Sequence, residues 1–119
     1  MQLQGKSIAV TGAFGSLGTA VVQALLRAGA RVAAIDRAET PRDPATFAGA
    51  TLFGGVDLGD AASANATLRA IVSGLGRLDG LVNIAGGFRW ETVADGQLET
   101  WDTLYQLNLR TAVAASQAA

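Results

Sequence analysis

The stretch from Ser7 to Gly18 constrains the fold of this chain more than any other. Ser7-Ile8-Ala9-Val10-Thr11 is a short apolar run that reads as a buried strand. Gly12, Gly15 and Gly18 follow it, with Ala13, Phe14, Ser16 and Leu17 between them. From Thr19 to Arg27 apolar residues recur at helical spacing. Strand, glycine turn and helix, in that order, is the setting in which such glycines carry chemistry. A tight turn needs backbone angles that side chains resist, and Gly12 suits it. A turn without side chains also lets a phosphate reach the backbone. The unpaired N–H groups and the dipole at the start of the helix favour negative charge there. Gly18 lets the helix lie close to the strand. The same turn could be no more than a tight connection, so the rest of the chain has to decide.

The rest of the chain repeats the pattern. The spacing predicts a first strand over Ser7 to Thr11 and a first helix over Ser16 to Ala28, closed by a left-handed Gly29. Arg31 to Asp36 is the second strand, apolar enough for both faces to be covered. Strand, helix and strand make a βαβ unit. A polar connection broken by Pro41 and Pro44 holds a short helical turn near Ala45 to Phe47. A third, weaker strand spans Thr51 to Val56. Asp60 caps a second helix that runs to Leu75 and ends at Gly76, with Ala64, Leu68, Ile71, Val72 and Leu75 on one face. Leu78 to Ala85 is the fourth strand, broken by Gly86-Gly87. Phe88 to Gly96 is a loop. A last helix starts at Gln97, with Leu98, Trp101, Leu104, Tyr105, Asn108 and Ala112 on or near one side. Such alternation predicts an α/β fold with a parallel sheet covered on both faces.

Composition narrows the function. A chain of 119 residues suffices for one domain. The net charge is −1 with no basic run, so nucleic acid is not an expected partner. The chain has no cysteine and no histidine. That removes disulfides, thiolate metal sites and the commonest general base. No metal site is expected. Met1 to Lys6 lacks a signal-peptide core and no apolar run is long enough to span a bilayer, so the expected location is the cytoplasm, without a membrane partner.

Three further positions give the glycine turn a context. Asp36 ends the second strand, where an acid can accept hydrogen bonds from both hydroxyls of an adenosine ribose and repel a 2′-phosphate. This favours NAD over NADP, although Asp36 could simply close the strand. Arg37 could stack on an adenine, pair in solvent or tolerate a 2′-phosphate. Asp57-Leu58 follows the third strand, on the side of the sheet where ligands bind. Asp57 could accept from an adenine amine or only shape the turn before Asp60. Asn83, in an apolar strand, needs hydrogen-bond partners and could tie neighbouring strands together or meet a ligand. Ala85 and Gly86 are small and leave room beside the turn.

Taken together, these segments resemble the short-chain dehydrogenase/reductase family over essentially the whole chain. Thr11-Gly12-Ala13-Phe14-Gly15-Ser16-Leu17-Gly18 resembles its cofactor turn, and Asp57-Leu58 its adenine-contact pair. Leu78 to Gly86 resembles its N-N-A-G strand, and Trp101 through Asn108-Leu109 the helix carrying its active-site asparagine. The resemblance implies a Rossmann-type doubly wound sheet of strand order 3-2-1-4, continuing to further strands in a full-length member. It implies an NAD(P)-dependent oxidoreductase that moves hydride between nicotinamide and an alcohol/carbonyl substrate, and a homodimer or homotetramer built through the Asn108 helix. Cofactor contacts are expected at Gly12, Phe14, Gly15, Ser16, Leu17, Gly18, Asp36, Arg37, Asp57, Leu58, Asn83, Ala85 and Gly86, and a catalytic position at Asn108, whose backbone would help hold a water.

The departures are specific. Ser16 stands where the single-domain branch, T-G-x-x-x-G-x-G, has its middle glycine, and Gly15 gives the T-G-x-x-G-x-x-G spacing of the extended branch. Ile84 replaces the second asparagine of N-N-A-G. The family's tyrosine, the lysine four residues on and the upstream serine are not matched. Tyr105 is followed four residues later by Leu109, and Lys6 is the only lysine. Ser16 lacks the glycine context of a nucleophile elbow, and Ser116 has no histidine to activate it. The expectation is the N-terminal, cofactor-binding portion of a longer enzyme, residues 1–119 forming one Rossmann domain that does not turn over alone. The alternative is a non-catalytic dinucleotide-binding or assembly module. Phe88-Arg89-Trp90 is a candidate wall near the nicotinamide.

Overall fold

A computed structural model describes residues 2–119; Met1, which the expected domain includes, lies outside the described residues. The chain runs β1 (Ser7–Thr11), α1 (Ser16–Arg27), β2 (Arg31–Ile35), a 3-10 turn (Pro44–Phe47), β3 (Thr51–Phe53), α2 (Ala61–Leu75), β4 (Gly80–Val82), α3 (Leu98–Tyr105), a π turn (Gln106–Arg110) and α4 (Thr111–Ala118). The four strands form one parallel sheet in the order β3-β2-β1-β4. Ser7 pairs with Arg31 through to Thr11 with Ile35, so the two central strands match along their length.

The two-residue period of a strand decides which helix each side chain meets. Ile8, Val10, Val32 and Ala34 point to one face and pack with Val22 of α1 and with Phe47. Ala9, Ala33 and Ile35 point to the other and pack with Ala64, Leu68 and Ile71 of α2 and Ala115 of α4. All five residues of β1 are buried, as expected of a central parallel strand covered on both sides.

Four sequence expectations need correction. The third strand stops at Phe53 rather than Val56. A Cβ at Gly54 would overlap the Glu39 carbonyl, and Gly55 (φ +67°) turns the chain away. The fourth strand is Gly80–Val82 rather than Leu78 to Ala85. Beyond it, the Ile84 and Ala85 N–H groups both donate to the Thr11 hydroxyl, each at 3.1 Å, instead of to a ladder carbonyl. On α2, Val72 faces solvent and Thr67 takes the inward position beside Leu68 and Ile71. The last helix contains the π turn and is rotated from the expected face. Leu104, Leu107, Thr111, Ala114 and Ala118 are half-buried, whereas Leu98, Trp101, Tyr105, Leu109 and Val113 are exposed.

Polar side chains fix the ends of the elements. Asp60 caps α2 by accepting from the Ser63 N–H at 3.0 Å. Glu91 accepts from the Gln97 N–H at 2.9 Å and the Thr100 hydroxyl at 2.8 Å, tying the long loop to the first turn of α3. Those bonds hold the Glu91 carboxyl below its usual range. Asp79 clamps the entry of β4 to β1: its carboxylate accepts from the Ser7 N–H at 2.8 Å, and its own N–H donates to the Ser7 carbonyl at 2.8 Å. The Ser7 N–H, and secondarily Arg77, lower the Asp79 pKa against the opposing effect of burial. A carboxyl with a depressed folded pKa contributes stability that is present above its unfolded value of about 3.9 and is lost as pH falls through the folded value. In thermal melts from neutral pH down to about pH 3, Asp79→Ala should lower the midpoint at neutral pH and flatten its fall with acid. An unchanged acid slope would show that the clamp contributes nothing.

Candidate functional site

The carboxyl ends of β1, β2 and β4 converge on one cleft of about 970 Å³. Its floor is the turn between β1 and α1. Gly12 (φ +63°) brings that turn against the strand beside it, where a Cβ would lie 2.6 Å from the Ala85 nitrogen. At Gly18 a Cβ would overlap the Gly12 carbonyl and come within 2.7 Å of the Ala13 Cα. These two glycines are therefore required by backbone contact. Gly15 is different: a Cβ there would meet only the Gly12 oxygen, at 3.6 Å, so the space above it is open. Gly15 is also the N-cap of α1, and no side chain caps that helix end. An uncapped helix start facing a cleft is a site for an anion.

Asp36 stands at one end of this floor. Its Oδ2 accepts from the Phe14 N–H at 2.9 Å and its Oδ1 from the Ala38 N–H at 3.0 Å. The carboxylate is thus oriented by the glycine turn itself. Each oxygen keeps a second lone-pair direction with which to accept a ligand hydroxyl. The Phe14 N–H is occupied by that bond, and its ring packs edge-on against Phe47 at 5.3 Å. Phe14 lines the cleft as a packing residue whose own N–H already has a partner. Arg37 also lines the cleft, and no protein hydrogen bond or ion pair holds it among the described residues.

Asp57 and Leu58 form the opposite rim. The Leu58 side chain is buried in the core under α2. Asp57 Oδ1 accepts from the Gly59 N–H at 2.9 Å, a turn-shaping bond that leaves Oδ2 without a protein partner. Ser16, Leu17, Ala85 and Gly86 complete the set of expected residues that line the cleft.

Two expected residues lie elsewhere. Asn83 does not line the cleft; its amide donates to the Ser116 hydroxyl at 3.1 Å and ties the end of β4 to α4, and Ile84 reaches the cleft instead. Asn108 sits in the π turn, and both ends of its amide are bonded within the protein. Oδ1 accepts from the Gly87 N–H at 3.1 Å, while Nδ2 donates to the Gly87 and Leu104 carbonyls, each at 2.9 Å. The Asn108 side chain therefore fixes the loop after β4. Phe88, Arg89 and Trp90 are on an exposed loop outside the main cleft.

Sequence reasoning missed three contributors. Thr11 was read as strand, yet its hydroxyl organises the Ile84–Ala85 backbone. Leu107 and Arg110 line the cleft from the π turn. Only its being the sole basic residue of the last helix could have signalled Arg110.

Comparison with known proteins agrees with this geometry. The family model for short chain dehydrogenases matches residues 6–119, and the chain belongs to that family. It is similar to D-threitol dehydrogenase of Mycolicibacterium smegmatis, 36% identical over 91% of this chain and 44% of the relative. A short chain dehydrogenase of Burkholderia cenocepacia, solved in complex with NADP, superposes with a TM-score of 0.89 at 32% identity, over 100% of this chain and 51% of that one. An NADH-dependent reductase complexed with NAD superposes with a TM-score of 0.87 at 26% identity, over 98% of this chain and 51% of that one. The chain thus spans about half the length of the proteins it matches.

The two classes of glycine should separate in experiment. Gly18→Ala forces backbone against backbone and should cost about 3 kcal/mol, the upper end for overpacking. Gly15→Ala should cost about 1 kcal/mol or less, the N-cap preference for Gly over Ala alone, because its Cβ enters open space. Denaturant melts of the two variants check this, and equal losses would count against the geometry.

Proposed function

We propose that this chain forms the dinucleotide-binding part of an NAD(P)-dependent oxidoreductase that interconverts an alcohol and a carbonyl compound. The observation that carries this reading is the uncapped, open helix start at Gly15, set beside a carboxylate that the same turn orients. An extended diphosphate fits over Gly15, Ser16 and Leu17, where helix N–H groups meet its charge. The close packing at Gly12 and Gly18 keeps side chains out of its path. Asp36 accepts from the hydroxyls of the adenosine ribose, and Asp57 with Leu58 borders the adenine. Ala85 and Gly86 keep the opposite side low where the nicotinamide half would cross. When bound, the nicotinamide supplies the hydride acceptor or donor.

Within residues 1–119, the work of this domain is binding and orientation. Its lone tyrosine, Tyr105, has Leu109 four residues on rather than a lysine. Asn108 is read as acting through its backbone, with the amide bonds to Gly87 fixing that backbone in place. The substrate class is a small alcohol or ketone, and the expected compartment is the cytoplasm. Among the described residues, no helix is long and apolar enough to cross a membrane.

Asp36 makes NAD the preferred cofactor, since a 2′-phosphate would sit against its carboxylate. Arg37 beside it moderates that preference without reversing it. Calorimetric titration of the natural-length protein should find NAD at least about tenfold tighter than NADP, with the gap narrowing in Asp36→Ala. A wild-type preference for NADP would overturn the assignment of Asp36.

The exposed apolar stripe Leu98, Trp101, Tyr105, Leu109 and Val113 is read as covered by a second copy of the protein. Sedimentation of the natural-length protein should give a dimer or tetramer, and Trp101→Glu should shift it toward monomer. A monomeric wild type would remove this reading.

A further inference from the structure

The rim of the cleft formed by Asp57 to Asp60 is held mainly by its own short-range bonds. Asp57 Oδ1 accepts from the Gly59 N–H, the Asp60 N–H donates to the Asp57 carbonyl at 3.2 Å, and Asp60 caps α2. Among the described residues, one hydrogen bond joins this loop to a residue distant in sequence. Arg110 Nε donates to the Gly59 carbonyl at 2.7 Å, across 51 positions. Gln106, one turn earlier on the same helix, also comes close to Gly59: a Cβ there would lie 3.7 Å from its Oε1. Arg110 lines the cleft, and its terminal amino groups have no protein hydrogen bond or ion pair among the described residues.

Resting on the reading of this cleft as a dinucleotide site, we propose that Arg110 is a positioning residue for the adenine end. The bond to Gly59 fixes the loop that presents Asp57 Oδ2. A charge-assisted hydrogen bond is stronger than a neutral one, and Nε of a guanidinium has a fixed direction. Two residues earlier, Asn108 holds the Gly87 loop on the other side of the same π turn. One irregular turn therefore sets both rims, and Arg110 is its contact with the adenine side. Losing that contact loosens the Gly59 side of the loop, with Leu58 still anchored in the core, while the glycine turn and the Gly87 loop stay as they are. The consequence is selective: ligands that carry adenine weaken, and ligands that carry only the nicotinamide half do not.

The test uses the natural-length protein with AMP and nicotinamide mononucleotide as separate probes, their binding followed by ligand-observed NMR. Arg110→Met keeps the aliphatic stem and removes the donors. AMP should bind about tenfold more weakly to it, nicotinamide mononucleotide should stay within about twofold, and Arg110→Lys should recover part of the AMP affinity. Should Arg110→Met fail to fold, Arg110→Gln carries the same comparison. Unchanged AMP affinity would overturn the proposal, and so would equal weakening of both probes, which marks a general structural role. If the wild type binds neither probe nor NAD, the dinucleotide reading itself fails and this inference falls with it.

Discussion

The structure depends on a backbone-to-backbone contact at Gly12. There the turn leaving β1 meets the chain leaving β4, with no room for a side chain between Gly12 and the Ala85 nitrogen. Thr11, one residue earlier, draws the Ile84 and Ala85 N–H groups onto its hydroxyl. The contact and the two hydrogen bonds keep β4 beside β1 past the point where ladder pairing stops at Val82. Gly18 then seats α1 against the same turn. Sheet edge, turn and helix start are thereby locked at one place, and the cleft opens directly over it.

The two faces of the sheet solve different packing problems. Under α1 the strands present Ile8, Val10 and Val32, and Phe14 and Phe47 close the upper end. On the other face β1 and β2 present Ala9 and Ala33, whose small side chains leave space for both α2 and α4. Ala64 and Ala115 on those helices are likewise small and fully buried. The alanines let both helices approach, and Ile35, Leu68 and Ile71 fill the space between the sheet and α2.

Most of the fold was legible because local signals and tertiary packing agree in the first half. β1, α1 and β2 carry unbroken apolar patterns bounded by glycines, and the structure places them within a residue of the expected limits. The 3-10 turn at Pro44 and the Asp60 cap were readable for the same reason: each is a short-range interaction written in adjacent residues. The errors fall where distant contacts decide. Thr67 and Val72 flank the Ala64–Leu68–Ile71 face on opposite sides, about 140° apart in helical phase, and only the packing of α2 on Ala33 and Ile35 chooses between them. The phase of the last helix depends on a π turn that no propensity announces. Asn83 was correctly seen to need partners, but its partner is Ser116, far along the chain. For the cleft, the glycines and Asp36 were readable from spacing, and Arg110 was not, since its target is a carbonyl 51 positions away.

The π turn has a consequence for how this helix can vary. It accommodates one more residue per turn than an α-helix would, and each residue of a regular helix advances the chain by about 100°. Deleting one residue between Gln106 and Arg110 would let the turn close into a regular α-helix with everything downstream in nearly the same phase, whereas the same deletion in a regular stretch would swing the chain by about 100°. Ala115 would keep its place in the core and Ser116 its place beside Asn83, while Asn108 and Arg110, inside the turn, would shift relative to Gly87 and Gly59. The widened turn is what sets Asn108 over Gly87 and Arg110 over Gly59 while the rest of the helix stays in register: shortening this segment would disturb the two rims of the cleft before it disturbed the core.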